Sequence, residues 1–206
     1  MKMGTIVAVA MGLAAMASCA AQSSSTAAGV KDEQFDESGH IAVDGKSVPY
    51  LIRHLPVSSF PELPDAIQAE LSRRGCLIPQ TYEAHRPENV IHGSFEKRAS
   101  SDWAVLCSHA GTVSLLVFFA GDAENPSILA GSPETSRLQP HGSSGVLGFN
   151  WGIDTATPEQ VRELQVGMEP HPPRLDHDCI ADSVIEGRAI YHYFAKGGWT
   201  LVETGN

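Results

Sequence analysis

Thr112-Val113-Ser114-Leu115-Leu116-Val117-Phe118-Phe119-Ala120 is the most apolar run in the body of this chain, and its reading decides the fold. Apolar residues fall on both parities, and β-branched and aromatic types dominate. A run of that kind is a strand buried on both faces, so it predicts a central strand. Just upstream, Ala110-Gly111 reads as a turn. Asp102 to His109 reads as a partner strand with Trp103, Val105 and Cys107 on one face.

Further upstream, Asn89 to Phe95 is a short strand candidate. Pro61 to Arg74 reads as a helix, because Leu63, Ile67 and Leu71 recur every fourth residue as one apolar stripe. Glu70 and Arg74 form an i,i+4 pair on it, and Gly75 is its stop. Ile41 to Val43 and Lys46 to Ile52 flank Asp44-Gly45, the signature of a hairpin with a type I′ turn. Pro49, having no N–H, predicts that the second of these strands is an edge.

Downstream, residues 121–145 hold turn residues around a short apolar piece, Ile128-Leu129-Ala130, and Val146 to Trp151 reads as a strand. Thr157-Pro158-Glu159-Gln160 carries a capping-box helix start, with Thr as N-cap and Pro at the first helical position; Gly167 closes that helix. The Pro-rich stretch Glu169 to Arg174 is a linker. Ile180 to Ile185, Arg188 to Ala195 and Trp199 to Glu203 form a closing meander, turning at Glu186-Gly187 and Lys196-Gly197-Gly198. Strands outnumber helices and do not alternate with them. The fold class expected is therefore α+β: an antiparallel sheet with two short helices packed on it and a C-terminal three-stranded meander.

The amino terminus has a different character. Lys2 is the only charge before residue 31, an apolar run extends from Ile6 to Ala17, and small residues follow at Ala17, Ser18, Cys19, Ala20 and Ala21. That order is a secretory signal; the apolar run is too short to cross a bilayer core of about 30 Å. Met16-Ala17-Ser18-Cys19 resembles a bacterial lipobox, in which Cys19 is lipidated, although Met16 stands where leucine is usual. Ordinary cleavage near Ala20 or Ala21, which removes Cys19, is the alternative. The expected organisation is a signal peptide over 1–19, a Ser-, Ala- and acid-rich tether over 20–38, and one α+β domain over 39–206. The expected location is outside the cytoplasm, in the periplasm or anchored in the cell envelope, with membrane contact only through the lipid.

The chain carries a net charge of −10, and loss of the signal removes Lys2 and no acid, leaving about −11. Such a surface repels phosphate backbones, and no basic stripe offsets it, so nucleic acid is not an expected partner. In an oxidising compartment Cys76, Cys107 and Cys179 remain. Cys76 opens a strand and Cys107 lies inside one, so Cys76–Cys107 is the expected disulfide, and Cys179 is left over. His177, two residues from Cys179, shares its strand face and would be the base of a thiol nucleophile.

Gly75-Cys76-Leu77-Ile78-Pro79-Gln80, Asn89-Val90-Ile91-His92-Gly93-Ser94-Phe95 and Asp102-Trp103-Ala104-Val105-Leu106-Cys107-Ser108 together resemble an uncharacterised family of exported bacterial proteins, as do His177-Asp178 and the closing meander. The resemblance covers about two thirds of the body. It implies export and no particular activity.

Chemistry therefore has to be sought residue by residue. Asp176-His177-Asp178, with His171 and Asp182 nearby, offers ligands suited to Zn²⁺ or Mn²⁺. On a strand only Asp176 and Asp178 would converge, and a polar turn entering the meander is the plainer account of the triplet. His141-Gly142-Ser143-Ser144-Gly145 approaches a nucleophile elbow but has His in place of the first Gly and reads as a loop. His85 and His92, flanking Arg86-Pro87-Glu88, could line a pocket mouth with Tyr82, or be solvated loop residues. Trp103, Trp151 and Trp199 read as core or sheet-face residues, or as one exposed partner contact. No cofactor motif is present. Two functions follow. The first is a binding or interaction module whose partner is an envelope protein or small ligand. The second is a small exported metal-assisted hydrolase, which requires Asp176, His177 and Asp178 to converge with His141 or His192.

Overall fold

The computed structural model describes residues 34–120, 122–185 and 187–205. The signal over 1–19, the lipobox with Cys19, most of the tether and Glu186 lie outside the described residues. The elements are β1 (Phe35–Val43), β2 (Lys46–Pro56), α1 (Asp65–Arg73), β3 (Leu77–Gln80), β4 (Val90–Gly93), β5 (Asp102–His109), β6 (Thr112–Phe118), β7 (Ser127–Pro133), β8 (Leu138–Pro140), β9 (Leu147–Phe149), β10 (Trp151–Ala156), α2 (Pro158–Leu164), β11 (Cys179–Val184), β12 (Ile190–Ala195) and β13 (Gly198–Val202).

The fold is α+β. Strands β1 to β9 form a nine-stranded sheet in which β7-β6-β5-β3-β2-β9-β8 are neighbours, β1 pairs with β2 and β4 with β5; β10 to β13 form a second, four-stranded sheet. The first sheet is mixed, because β2 and β9 run parallel, which corrects the expectation of a purely antiparallel sheet. The expected meander exists, but β10 pairs with β11 and makes it four strands.

The double-sided apolar pattern of β5 and β6 has a direct cause. Val105, Cys107, Leu116 and Phe118 pack against Leu63, Ile67 and Leu71 around α1. Ala104, Leu106, Val113, Leu115 and Val117 point the other way, toward Trp151, Ile153 and Ile180 of the second sheet. Val161 of α2 covers the far face, against Cys179 and Ala181. The order is thus helix, sheet, sheet, helix.

Local signals explain the boundaries. Asp44-Gly45, Ala110-Gly111 and Lys196-Gly197 all have positive φ and join their strands as two-residue turns. Helix α1 ends in a Schellman motif: Cys76 N–H donates to Leu71 O, Gly75 N–H to Ser72 O, and Gly75 takes φ +69°. Glu70 binds Arg74 at 2.6 Å and Arg73 at 2.7 Å. Helix α2 has its full capping box, Thr157 accepting from Gln160 N–H and Gln160 accepting from Thr157 N–H.

Three expectations change. β2 is not an edge, since it pairs with β1, β3 and β9; its ladder with β9 covers only Tyr50 and Leu51, so the N–H that Pro49 lacks is not needed there. β7 is a seven-residue strand where only an apolar fragment at 128–130 was expected; it carries a register shift opposite Leu115/Leu116, which hides its alternation. β1 starts at Phe35, inside the expected tether, because its polar residues are held by pairing with β2 rather than by burial.

Two polar clamps hold the sheets together. Buried Asn89, at φ +69°, donates to Pro79 O and Trp151 O and accepts from Ile153 N–H. Asp178 accepts from Ser94 N–H through Oδ2, and its own N–H donates to Ser94 O. The chain itself crosses between sheets at Asn150, from β9 directly into β10.

Candidate functional site

Of the residues singled out for metal binding, Asp176 and His177 stay together while Asp178 turns away. Asp178 is occupied in the clamp just described. Asp176 Oδ1 lies 2.6 Å from His177 Nδ1 and accepts from Tyr193 Oη at 2.7 Å. Those two bonds, Tyr193 first, hold the Asp176 carboxyl below its usual range. Burial and the bond to Asp176 push the Tyr193 hydroxyl up to about 12. Tyr193 stacks on the His177 ring at 4.3 Å. His177 is 7% exposed, and its remaining nitrogen, Nε2, is buried without a hydrogen-bond partner. The nitrogen a catalyst would need faces inward.

The histidines expected to complete the metal site are elsewhere. His192 Nε2 lies 3.2 Å from Asp182 Oδ2, and Trp151 donates its indole N–H to Asp182 Oδ1 at 2.6 Å. His141 stacks on Tyr82 in the β8–β9 connection, with Ser144 Oγ bound to His141 O, so the glycine-serine stretch is a loop and no elbow. His171 is paired with Glu169 at 3.4 Å. Among the described residues no three His, Cys, Asp or Glu side chains gather where an ion could sit. The convergence that the hydrolase reading requires is not there.

The cysteines divide as expected. Cys76 and Cys107 are bonded, with Cα atoms 5.1 Å apart. Cys179 is fully buried, and burial, helped by the Asp178 charge, pushes its thiol up to about 12. A thiol in that state is protonated at neutral pH and is not a nucleophile. His85 and His92 share no pocket mouth with Tyr82. His85 lines a cleft with Arg53 and Arg86, whereas His92 is bound to Ser101 and leans on Trp103. Trp151 is buried; Trp103 and Trp199 are half-buried against the two cores.

Chemistry-bearing groups do gather at a place not singled out from sequence. His54 of β2 and Glu134, in the 3-10 turn Glu134–Arg137 after β7, meet at 2.8 Å; they are 3% and 1% exposed. Burial alone would raise the Glu134 carboxyl, but His54 and the nearby Ser108 hydroxyl outweigh it and hold it low and ionised. Its second oxygen, Oε2, is buried with no well-formed hydrogen bond.

His54 of this pair reaches an opening, with Glu134 buried behind it. His54 and Ser108 line a cleft of about 210 Å³, together with Phe35, Asp36, Glu37, Gly75, Leu77 and His109. Asp36 and Glu37 come from the exposed strand β1, and no Lys or Arg is among the described residues lining the cleft. Each element has a local reason to be there. β1 is placed by its Asp44-Gly45 turn, Gly75 by the Schellman motif and Ser108 by the strand that the disulfide anchors one residue earlier. Gly75 takes φ +69°, which favours glycine, and a Cβ there would also press on His109 Nδ1 at 3.1 Å. The cleft offers the negative charge of Asp36 and Glu37. It suits a positively charged group.

No protein-family model matches this chain, and neither curated proteins nor solved structures give a match.

Proposed function

We propose that this protein is a binding module of the cell envelope, exported on its first nineteen residues, and that the His54 cleft receives a cationic group of its ligand or partner. Lipid on Cys19 would fix it to the membrane; cleavage after Ala20 or Ala21 would leave it free in the periplasm. The charge-apolar-small order of the amino terminus and the resemblance of Gly75–Gln80, Asn89–Phe95 and Asp102–Ser108 to exported bacterial proteins support this placement. The observation that carries the binding reading is the cleft rimmed by Asp36 and Glu37, with His54 of the buried His54–Glu134 pair in its lining and no Lys or Arg among its described lining residues. For a metal-assisted hydrolase there is less support, since among the described residues no three potential ligands gather.

The test is calorimetric titration of the purified protein with a short peptide bearing a free lysine, against the same peptide acetylated on that lysine. Selective binding of the free amine, weakened about tenfold in the Asp36→Asn/Glu37→Gln variant, is expected. Equal binding of both peptides, or of neither, sinks the proposal.

A further inference from the structure

The opposite charge is gathered at a second cleft, between α2 and the segment that enters β11. It measures about 310 Å³ and is lined by Pro158, Glu159, Arg162, Gln165, Arg174 and Leu175. Its floor is fixed. Gln165 is buried and donates to Glu203 O at 2.9 Å, and Leu175 packs with Val161 and Cys179. The two arginines come from different elements, one on the helix and one on the linker, yet line the same space.

What sets this cleft apart is what the arginines do not do. The chain has 24 acidic residues and only 14 basic ones, so partners for a guanidinium are plentiful. Arg73 and Arg74 share Glu70, and Arg53 donates to Thr81 O and Ala84 O. Arg162 and Arg174, by contrast, make no side-chain hydrogen bond or ion pair with any described residue, although Glu159 lies three positions before Arg162. Two planar donor forks are therefore left open toward one cleft.

We infer that this cleft binds a phosphate group carried by an organic molecule. One guanidinium satisfies both oxygens of a carboxylate, so two arginines on a carboxylate would leave donors idle. A phosphate has enough oxygens for two forks at once. The volume exceeds what a bare phosphate fills, leaving room for the moiety that carries it. Neither arginine belongs to the His54 cleft, so this site stands or falls separately from the binding proposed there. With a net charge of −10, general attraction to an anionic surface is unfavourable, so any phosphate binding has to come from a local site.

The experiment follows the arginine side-chain Nε–H resonances of the full-length protein by NMR during titration with inorganic phosphate, at constant ionic strength. Saturable shifts confined to Arg162 and Arg174 are expected. Arg162→Ala or Arg174→Ala should weaken binding at least about tenfold, with the backbone spectrum otherwise retained, while Arg98→Ala leaves it unchanged. Arg162→Lys keeps the charge and loses the fork, and should fall between. A second arm uses vesicles containing phosphatidic acid, with phosphatidylcholine vesicles as control. Arginine-dependent binding to the former assigns the phosphate to a lipid headgroup; phosphate binding without vesicle binding assigns it to a soluble phosphorylated molecule. Shifts that grow linearly without saturation, or that Arg98 shares equally, overturn the site.

Discussion

Glu134 Oε1 and His54 Nε2 lie 2.8 Å apart although 80 residues separate them along the chain, and both side chains are out of water. The pair joins β2 to the turn after β7. Removing one member leaves the other buried and uncompensated. Glu134→Ala is expected to cost about 3–5 kcal/mol in urea unfolding, whereas Glu134→Gln, which can still hydrogen-bond, should cost clearly less. A loss below about 1 kcal/mol for the alanine variant would show the pair to be energetically idle.

Asn89 is expected to be as costly to remove. Its side chain makes three bonds to the main chains of Pro79, Trp151 and Ile153, and its φ of +69° suits Asn better than Ala. Asn89→Ala should destabilise by about 2–4 kcal/mol, with a shift in the tryptophan fluorescence of Trp151, whose carbonyl it holds. Unchanged stability would mean that apolar packing alone joins the sheets.

Reduction of Cys76–Cys107 should lower stability by about 3–4 kcal/mol in the chain-entropy picture, since the bridge closes a separation of 31 residues. The check is denaturant unfolding of the oxidised protein against Cys76→Ser/Cys107→Ser. Cys179 should escape alkylation at pH 8 in the folded protein and react on unfolding, because its thiol is held near 12 and is fully covered. Peptide mapping of the alkylated site would show otherwise.

Glu70 supplies a pH dependence with a definite sign. Hydrogen bonds from Arg73 and then Arg74 lower its carboxyl from 4.5 to about 2 in the folded protein. Its contribution is present above the unfolded value and is lost as pH falls from about 4.5 through about 2. The pH profile of stability in that window should flatten in Glu70→Gln. An unaltered profile would place the acid sensitivity elsewhere.

Much of this architecture was legible because it was written locally. The double-sided apolar character of β6, the glycine turns at Asp44-Gly45 and Ala110-Gly111, the Thr157 capping box and the Leu63-Ile67-Leu71 stripe each state a conformation within a few residues. β7 escaped because its register shift breaks the alternation on which strand reading depends. β1 escaped because Asp36, Glu37 and Ser38 are held by pairing alone. The His54–Glu134 site was invisible for a different reason. Neither residue has an unusual neighbour in sequence, and only the return of the chain after β7 brings them together. Asp176-His177-Asp178 misled in the opposite sense. Adjacency in sequence suggested a cluster, while the bend that precedes β11 turned Asp178 to Ser94 and Asp176 to Tyr193.

The passage of the chain from β9 into β10 at Asn150 has a mechanical consequence. One extended run, Leu147 to Ala156, is a member of both sheets. Tension applied to either layer is therefore carried into the other through covalent backbone. The layers cannot slide apart as separate plates without first tearing the ladders on one side of that residue. Such a through-beam passes a pull on one layer to the other without relying on side-chain contacts between them.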